Sequence, residues 1–375
     1  MNSPVHHRWN ILLVPLAWLY GTVIWIRNLL YDTGIFTSTE YNIPIIATGN
    51  LTVGGTGKTP HVEYLVSLLK DEFRVATLSR GYRRKTRDFR IASLQSTALE
   101  IGDEPMQIKR RFPDITVAVD RRRRNGIQQL MKLHPPLEVI ILDDAYQHRS
   151  VRPGLSILLM DYSRPVDRDR LLPAGRLREP ARNRDRAHLI LVTRSPERVK
   201  PIERREVVKR LELDIGQHLY FTTVRYGKLF PVYEGSPQKE VDWFKEHTGA
   251  VLIISGIAQP RHLRKFARSI HTRIHEMTFP DHHRYRTRDL DRIFAQFDTL
   301  RAEGTEVLVL TTEKDAMRLR EFNAPETFKH ACHAVRIHIH FLNEDQLAFN
   351  KQIQNYVTSN KRSSILHQEP VPGNP

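Results

Sequence analysis

A chain of 375 residues with 40% hydrophobic and 27% charged side chains has an ordinary globular composition and is long enough for one large domain or two. Its 58 Lys and Arg against 42 Asp and Glu leave a formal net charge of +16, which calls for an anionic partner without choosing among nucleic acid, an acidic membrane surface and a phosphorylated substrate. The single cysteine, Cys332, excludes an intramolecular disulfide and a thiolate zinc cluster, as suits a reducing, cytoplasmic compartment.

In chain order, the first informative stretch is the apolar run from Ile11 to Ile26, preceded by His6, His7 and Arg8 and followed by Arg27. About sixteen residues make roughly 24 Å of helix, short of the ~30 Å hydrocarbon core, so a simple spanning helix is disfavoured. No small-x-small cleavage site precedes Tyr31-Asp32, which argues against a signal peptide. Trp9, Trp18 and Trp25 with Tyr20 and Tyr31 suit an interface where a ring is half wet. Two readings of residues 1–40 remain: an amphipathic or hydrophobic helix lying in a membrane surface, and a first helix buried in the domain.

Ile43-Pro44-Ile45-Ile46-Ala47 reads as a buried strand, and Val62, Leu65, Val66 and Leu69 recur at helical spacing. Between them lies Gly49-Asn50-Leu51-Thr52-Val53-Gly54-Gly55-Thr56-Gly57-Lys58-Thr59-Pro60, a phosphate-binding loop in its proper strand–turn–helix setting. Glycines let backbone N–H groups approach phosphate oxygens at the positive end of the helix, Lys58 can reach the β- and γ-phosphates, and the Thr59 hydroxyl can ligate Mg²⁺. The expected nucleotide contacts are therefore Thr52, Val53, Gly54, Gly55, Thr56, Gly57, Lys58 and Thr59. The strict G-x-x-x-x-G-K-[ST] pattern wants Gly where this chain has Thr52.

Arg74 to Ser79 is a short strand ending in the basic cluster Arg80-Gly81-Tyr82-Arg83-Arg84-Lys85, on the side where open α/β sheets bind ligands. Gly102-Asp103-Glu104-Pro105 opens a helix over Met106 to Arg111. Ile115 to Asp120 is a strand, and a helix runs from Gly126 to Lys132. Leu137 to Leu142 forms a strand that ends in Asp143 and Asp144, the shape of a Walker B element, where one acid or the other can hold a hydrated Mg²⁺; Gln147 and His148 add polar groups beside them. Coupled to the phosphate loop, this tip points to a Mg²⁺-dependent nucleoside triphosphate enzyme.

Leu155 to Met160 and Leu189 to Val192 continue a series of buried strands at helix-length intervals, with the loop Leu171 to Pro180 between them. Such a series predicts an α/β fold of the P-loop type, a doubly wound and mostly parallel sheet. Aromatic, Gly and Pro residues change the pattern between 217 and 245, so residues 41–220 are expected to form the nucleotide-binding core and 221–355 a second, smaller α/β domain closing over the cleft. Residues 356–375 read as a disordered tail. A zincin is excluded by the order of His275-Glu276, a GTPase by the place of Lys in Thr312-Glu313-Lys314-Asp315, and the aromatic-and-basic RNA signature is absent, so no nucleic acid partner is expected.

The phosphate loop, Ser79-Arg80-Gly81-Tyr82, Gly102-Asp103-Glu104-Pro105, Asp143-Asp144-Ala145-Tyr146-Gln147-His148, Leu172-Pro173-Ala174-Gly175-Arg176-Leu177-Arg178-Glu179, Asp281-His282 and Thr312-Glu313-Lys314-Asp315, in that order, resemble the tetraacyldisaccharide 4'-kinase family, the lipid A 4'-kinases of Gram-negative bacteria. The resemblance covers roughly residues 9 to 340, and in it Thr52 is the family's own form of the loop. It implies transfer of the ATP γ-phosphate to the 4'-hydroxyl of a tetraacylated glucosamine disaccharide 1-phosphate at the cytoplasmic face of the inner membrane. It also implies Arg80, Tyr82, Gln147, His148, Arg176 and Glu179 as acceptor contacts. A P-loop ATPase that switches a protein partner and a soluble kinase of a small anionic metabolite are the rival classes, and the hydrophobic N-terminus counts against both.

The acceptor alcohol must lose its proton as it attacks, and Asp103, Asp143, Asp144, His148 and His282 are candidates to take it. A carboxylate bound to metal is a poor base, which sets Asp143 and Asp144 aside and leaves Asp103 the better acceptor. The resemblance assigns this role to Asp103 and pairs it with His282.

Overall fold

The computed structural model describes residues 12–82, 84–257, 260–280 and 283–366, the last six as backbone only. Its twelve strands, taken in chain order, are β1 (Ile45–Gly49), β2 (Val75–Ser79), β3 (Arg90–Ile91), β4 (Thr116–Val119), β5 (Val139–Leu142), β6 (Leu155–Asp161), β7 (Leu189–Thr193), β8 (His218–Pro231), β9 (Thr248–Ser255), β10 (Ile274–Thr278), β11 (Glu306–Thr312) and β12 (Cys332–Phe341). All belong to one sheet in the order β10-β9-β11-β12-β8-β7-β6-β1-β5-β2-β4-β3. β1 pairs in parallel with β5 on one side and β6 on the other, so the winding reverses there and opens a crevice outside its carboxyl end.

Alternate side chains of the central strands feed two cores. Ile46 joins Val62, Leu65 and Val66 of the helix Lys58–Leu69, whereas Ile45 and Ala47 join Ile127 and Leu130 of the helix Arg123–Leu130. Burial on both faces explains why these strands read as unbroken apolar runs.

The composition change after 217 coincides with β8, which is long enough to serve two neighbours. Its start pairs in parallel with β7, from Leu189↔His218 to Val192↔Phe221, and the rest pairs antiparallel with β12, from Phe341↔Thr222 to His333↔Pro231. The halves on either side of β8 thus share one sheet through a common strand.

The first helix, Val14–Asp32, buries only Ala17 and Asn28. Its inward side is tied by polar contacts: Tyr20 donates to the Arg178 carbonyl at 2.7 Å, Arg27 to the Gln147 carbonyl at 2.7 Å, and Arg149 binds the Asn28 carbonyl at 3.0 Å. Leu16, Trp18, Leu19, Val23, Trp25 and Ile26 point outward and are exposed. Of the two readings of this segment, burial in the core is the one the structure overturns, because the chain turns the helix's polar stripe inward; Trp9 lies outside the described residues. No helix among the described residues is long and apolar enough to cross a membrane.

The tail expectation also changes. The last helix runs Asp345–Leu366, and Phe349, Ile353 and Val357, four apart, are buried in the main core, so residues 356–366 are helical; residues 367–375 lie outside the described ones.

Candidate active site

The loop leaving β1 turns into the helix Lys58–Leu69 at Gly57, whose φ of 85° places it in the left-handed region open to glycine. Thr52 needs no such freedom. It forms an antiparallel bridge with Leu177, flanked by the Val53 N–H donating to the Arg176 carbonyl at 2.8 Å and the Arg178 N–H to the Leu51 carbonyl at 2.7 Å. The first half of the phosphate loop is therefore stitched to the Leu172–Glu179 motif, in a backbone conformation at 52 that a residue with a Cβ can adopt. Thr193 fixes the second half, its hydroxyl donating to the Thr56 carbonyl at 2.9 Å. His61, buried and pushed down to about 4 by burial, stands 2.7 Å from the Gly57 carbonyl and 3.0 Å from the Thr222 hydroxyl, tying the loop to β8 as a neutral imidazole.

Lys58 reaches back across the crevice, its Nζ 3.4 Å from Asn50 Oδ1 and 3.5 Å from Asp144 Oδ1. Arg178 approaches Asp144 at 3.2 Å, Asn50 Oδ1 at 3.2 Å and Gln147 Oε1 at 3.3 Å. Burial pushes the Asp144 carboxyl up, but Lys58 and Arg178 outweigh it and hold it below its ordinary value. Asp144 also adopts a φ of 48°, a left-handed conformation that non-glycine residues keep mainly where the surroundings enforce it.

Asp143 is its opposite. Only 2% exposed, its carboxyl is pushed up to about 7 by burial and by the neighbouring Glu104 and Asp144 carboxylates, and its Oδ1 has no hydrogen-bond partner. A buried carboxylate oxygen with no partner, beside two more acids, is a place for a cation. Asp143, with Thr59 in the first helical turn, fits Mg²⁺ carried in on nucleotide phosphates, a hard ion that needs few protein oxygens. No group of three or more His, Cys, Asp or Glu suited to a metal occurs among the described residues.

Asp103 starts the helix Asp103–Arg111 immediately after Gly102, whose φ is 98°. A Cβ on Gly102 would stand 3.2 Å from the Cα of Gly81 and 3.3 Å from the Tyr82 carbonyl, so the Arg80-Gly81-Tyr82 and Gly102-Asp103 motifs stack backbone to backbone. That contact brings Arg80 and Tyr82, both exposed, to the side of Asp103. The carboxylate of Asp103 is ion-paired with Arg318, from the far half of the chain. His282, expected beside it, lies outside the described residues.

The other expected acceptor contacts separate. Gln147 and His148 are half-buried near Asp144, and the side chain of Arg176 is exposed. Burial, followed by Arg123 and Arg80, drives His148 down to about 4, leaving a neutral ring. Glu179 is fully buried: it binds Arg186 and accepts from Asn183 at 2.9 Å, with Arg27 at 3.8 Å, and so braces the loop and first helix.

Arg178, Arg123 and Arg194 belong to the site and were missed. Arg178 sits inside a motif already singled out. Arg123, buried behind the strand tip, donates to the carbonyls of Asp120 and Asp143 at 2.5 and 3.2 Å, but in sequence it is one of four consecutive arginines. Arg194 follows β7 with a φ of 55°, pairs with Asp161 at 3.2 Å, and brings a guanidinium nitrogen 3.4 Å from where a Cβ on Gly55 would stand.

The chain is similar to known proteins over nearly its whole length. The chain is 45% identical over 361 residues to a tetraacyldisaccharide 4'-kinase of Phocaeicola vulgatus, covering 95% of this chain and 97% of that one. It is 46% identical over 373 residues to another of Bacteroides fragilis, with 97% of each covered. The crystal structure of the "apo" form of LpxK from Aquifex aeolicus in complex with ATP superposes with a TM-score of 0.71 at 29% identity, covering 93% of this chain and 99% of that one. The family model described as "Tetraacyldisaccharide-1-P 4'-kinase" matches residues 9–358, and the chain belongs to that family.

Proposed function

We propose that the crevice outside β1 and β5 transfers the γ-phosphoryl group of ATP to the 4'-hydroxyl of a tetraacylated glucosamine disaccharide 1-phosphate, with Asp103 taking the hydroxyl proton. A bond forms from the acceptor oxygen to the γ-phosphorus, the bond to the ADP oxygen breaks, and the proton passes to Asp103. The observation that carries this reading is the convergence of Lys58, Asp143 and Asp144 on one strand tip, with Glu104 acting on Asp143 and so bringing Asp103, its neighbour, to the same place. The backbone from Thr52 to Gly57 cradles phosphates at the helix start, and Lys58 meets the charge that spreads over them. Asp143 and Thr59 would hold Mg²⁺, which would supply neutralisation of the phosphate charge. Asp144 keeps Lys58 and Arg178 aligned. His282 is the partner we propose for Asp103, reached as the second half closes on the cleft.

Arg80, Tyr82, Gln147, His148 and Arg176 are the proposed acceptor contacts. Beside His148, Arg121, Arg122, Arg123 and Arg124 line a cavity of about 460 Å³, a basic seat for the sugar phosphate that the family name places on the acceptor. The outward apolar side of the helix Val14–Asp32 supports a place at the cytoplasmic face of the inner membrane, where the lipid resides. Leu19→Ser with Val23→Ser should weaken flotation with anionic vesicles while leaving the melting temperature unchanged.

The deciding assay measures ATP consumption in detergent with and without the lipid disaccharide. Strong stimulation by the acceptor is expected; a rate indifferent to the lipid points to a hydrolase that switches another protein. Asp103→Asn and His282→Ala should each lower kcat with little change in the KM for ATP, and the double variant should lose little more than the worse single one.

A further inference from the structure

The motif Thr312-Glu313-Lys314-Asp315 has no part in the phosphate chemistry above, yet it starts a helix, Glu313–Leu319, that lies against the helix Asp103–Arg111. Ion pairs cross this contact at both ends in opposite senses. Arg318 of the second half reaches Asp103 at the start of one helix, and Arg111, near its end, lies 3.7 Å from Glu313. Arg111 also binds Glu63 of the helix Lys58–Leu69 at 2.5 Å, so the second attachment extends to the phosphate-loop helix.

Arg318 is only 7% exposed, and its guanidinium is held from more than one side. One nitrogen meets the Asp103 carboxylate; the other donates to the His283 carbonyl at 3.1 Å and lies 3.6 Å from Asp315 Oδ1. Asp315 is itself fixed, with its Oδ2 accepting from the Gly256 N–H at 2.9 Å and the Thr312 hydroxyl at 2.8 Å. A planar guanidinium held this way fixes both the direction and the distance of the carboxylate it faces, which a flexible ammonium cannot do.

We infer that Arg318 is the positioning residue for Asp103, orienting its carboxylate toward the acceptor hydroxyl and holding it in register with the backbone next to His282, while the Thr312–Asp315 motif holds Arg318. The inference rests on Asp103 being the base. Displacing a reacting group by about 1 Å can lower a rate on the order of 10²-fold, so the effect falls on kcat.

The test compares Arg318→Gln, Arg318→Lys, Asp103→Asn and the double variant Asp103→Asn/Arg318→Gln by kcat, KM for ATP and melting temperature. Arg318→Gln should lower kcat by about 10- to 100-fold with the KM for ATP changed less than about threefold. Arg318→Lys, which keeps the charge and loses the fork, should recover part of it, and the double variant should be no slower than Asp103→Asn alone. Where Arg318→Gln melts below the assay temperature, the folded Arg318→Lys decides, a lowered kcat supporting the role and a wild-type kcat overturning it. Wild-type kcat in Arg318→Gln, a raised kcat, or losses that multiply in the double variant likewise overturn the role. Wild-type kcat in Asp103→Asn instead removes the base assignment beneath it.

Discussion

The tips of β5 and β11 each carry a buried carboxylate shortly beyond the last strand residue, pushed up by burial in both, and they differ in the charges that surround it. At β11, Asp315 receives a backbone N–H and a hydroxyl and faces Arg318; burial pushes its carboxyl up, but these donors act against it. At β5, Asp143 meets Glu104 and Asp144 instead. One oxygen of each carboxylate lacks a hydrogen-bond partner, but Asp315 Oδ1 lies 3.6 Å from the Arg318 guanidinium, whereas Asp143 has two acids beside it. A buried acid compensated by the cations and donors of its own chain is architecture; one set beside other acids in a cleft is a place for a cation.

The largest expected difference is in turnover. Lys58→Ala and Thr59→Ala should each lower kcat by roughly 10³-fold or more, because each removes a contact to charge that develops in the transition state. Their melting temperatures should stay within a few degrees of the parent, since Asp144 keeps Arg178 at 3.2 Å. Near wild-type turnover in either would remove the phosphate loop from the mechanism.

At β11 the loss is expected first in stability. Asp315→Ala strands the Gly256 N–H and the Thr312 hydroxyl in a buried place and takes one carboxylate away from Arg318, a loss of about 3–5 kcal/mol of the kind seen when one member of a buried charged set is removed. Chemical denaturation should show the midpoint falling with the slope unchanged. If Asp315→Ala melted like the parent, the contrast between the two tips would collapse.

How far this contrast was legible in the sequence differs between the tips. The β5 tip was readable because strand, loop and helix signals are local and a Walker pair needs only residue types in order; Thr52 broke the pattern only because its bridge to Leu177 is a tertiary contact. The role of Thr312–Asp315 was not readable, since Arg318 and Asp103 stand 215 residues apart and nothing local announces their meeting. Arg123 was hidden by its neighbours in a run of four arginines. The first helix showed its apolarity in composition, but which side would dock depended on partners such as Arg178 and Gln147 that only the fold supplies. At the other end, Phe349, Ile353 and Val357 carried a helical spacing, which the polar, proline-bearing residues after 359 outweighed.

The last expected effect is the most discriminating, because its size depends on pH. An ordinary aspartate in the unfolded chain titrates near roughly 4. In the folded chain Asp143 is pushed up to about 7, so the native state holds its proton more tightly than the unfolded state does. Such a group costs nothing below about pH 4, costs progressively more as pH rises from there to 7, and keeps its full cost above. Asparagine fills the same space and cannot ionise. Asp143→Asn should therefore melt with the parent near pH 4 and above it by pH 8, while losing turnover. Glu63, also pushed up to about 7, is present in both proteins and cancels in the difference. Adding Mg²⁺ with ATP at pH 8 should raise the parent's melting temperature more than the variant's, narrowing the gap, because the ion offsets the charge that destabilises the parent. A gap that stayed constant from pH 5 to 8, or that nucleotide and metal left untouched, would mean that Asp143 carries no uncompensated charge to set it apart from Asp315.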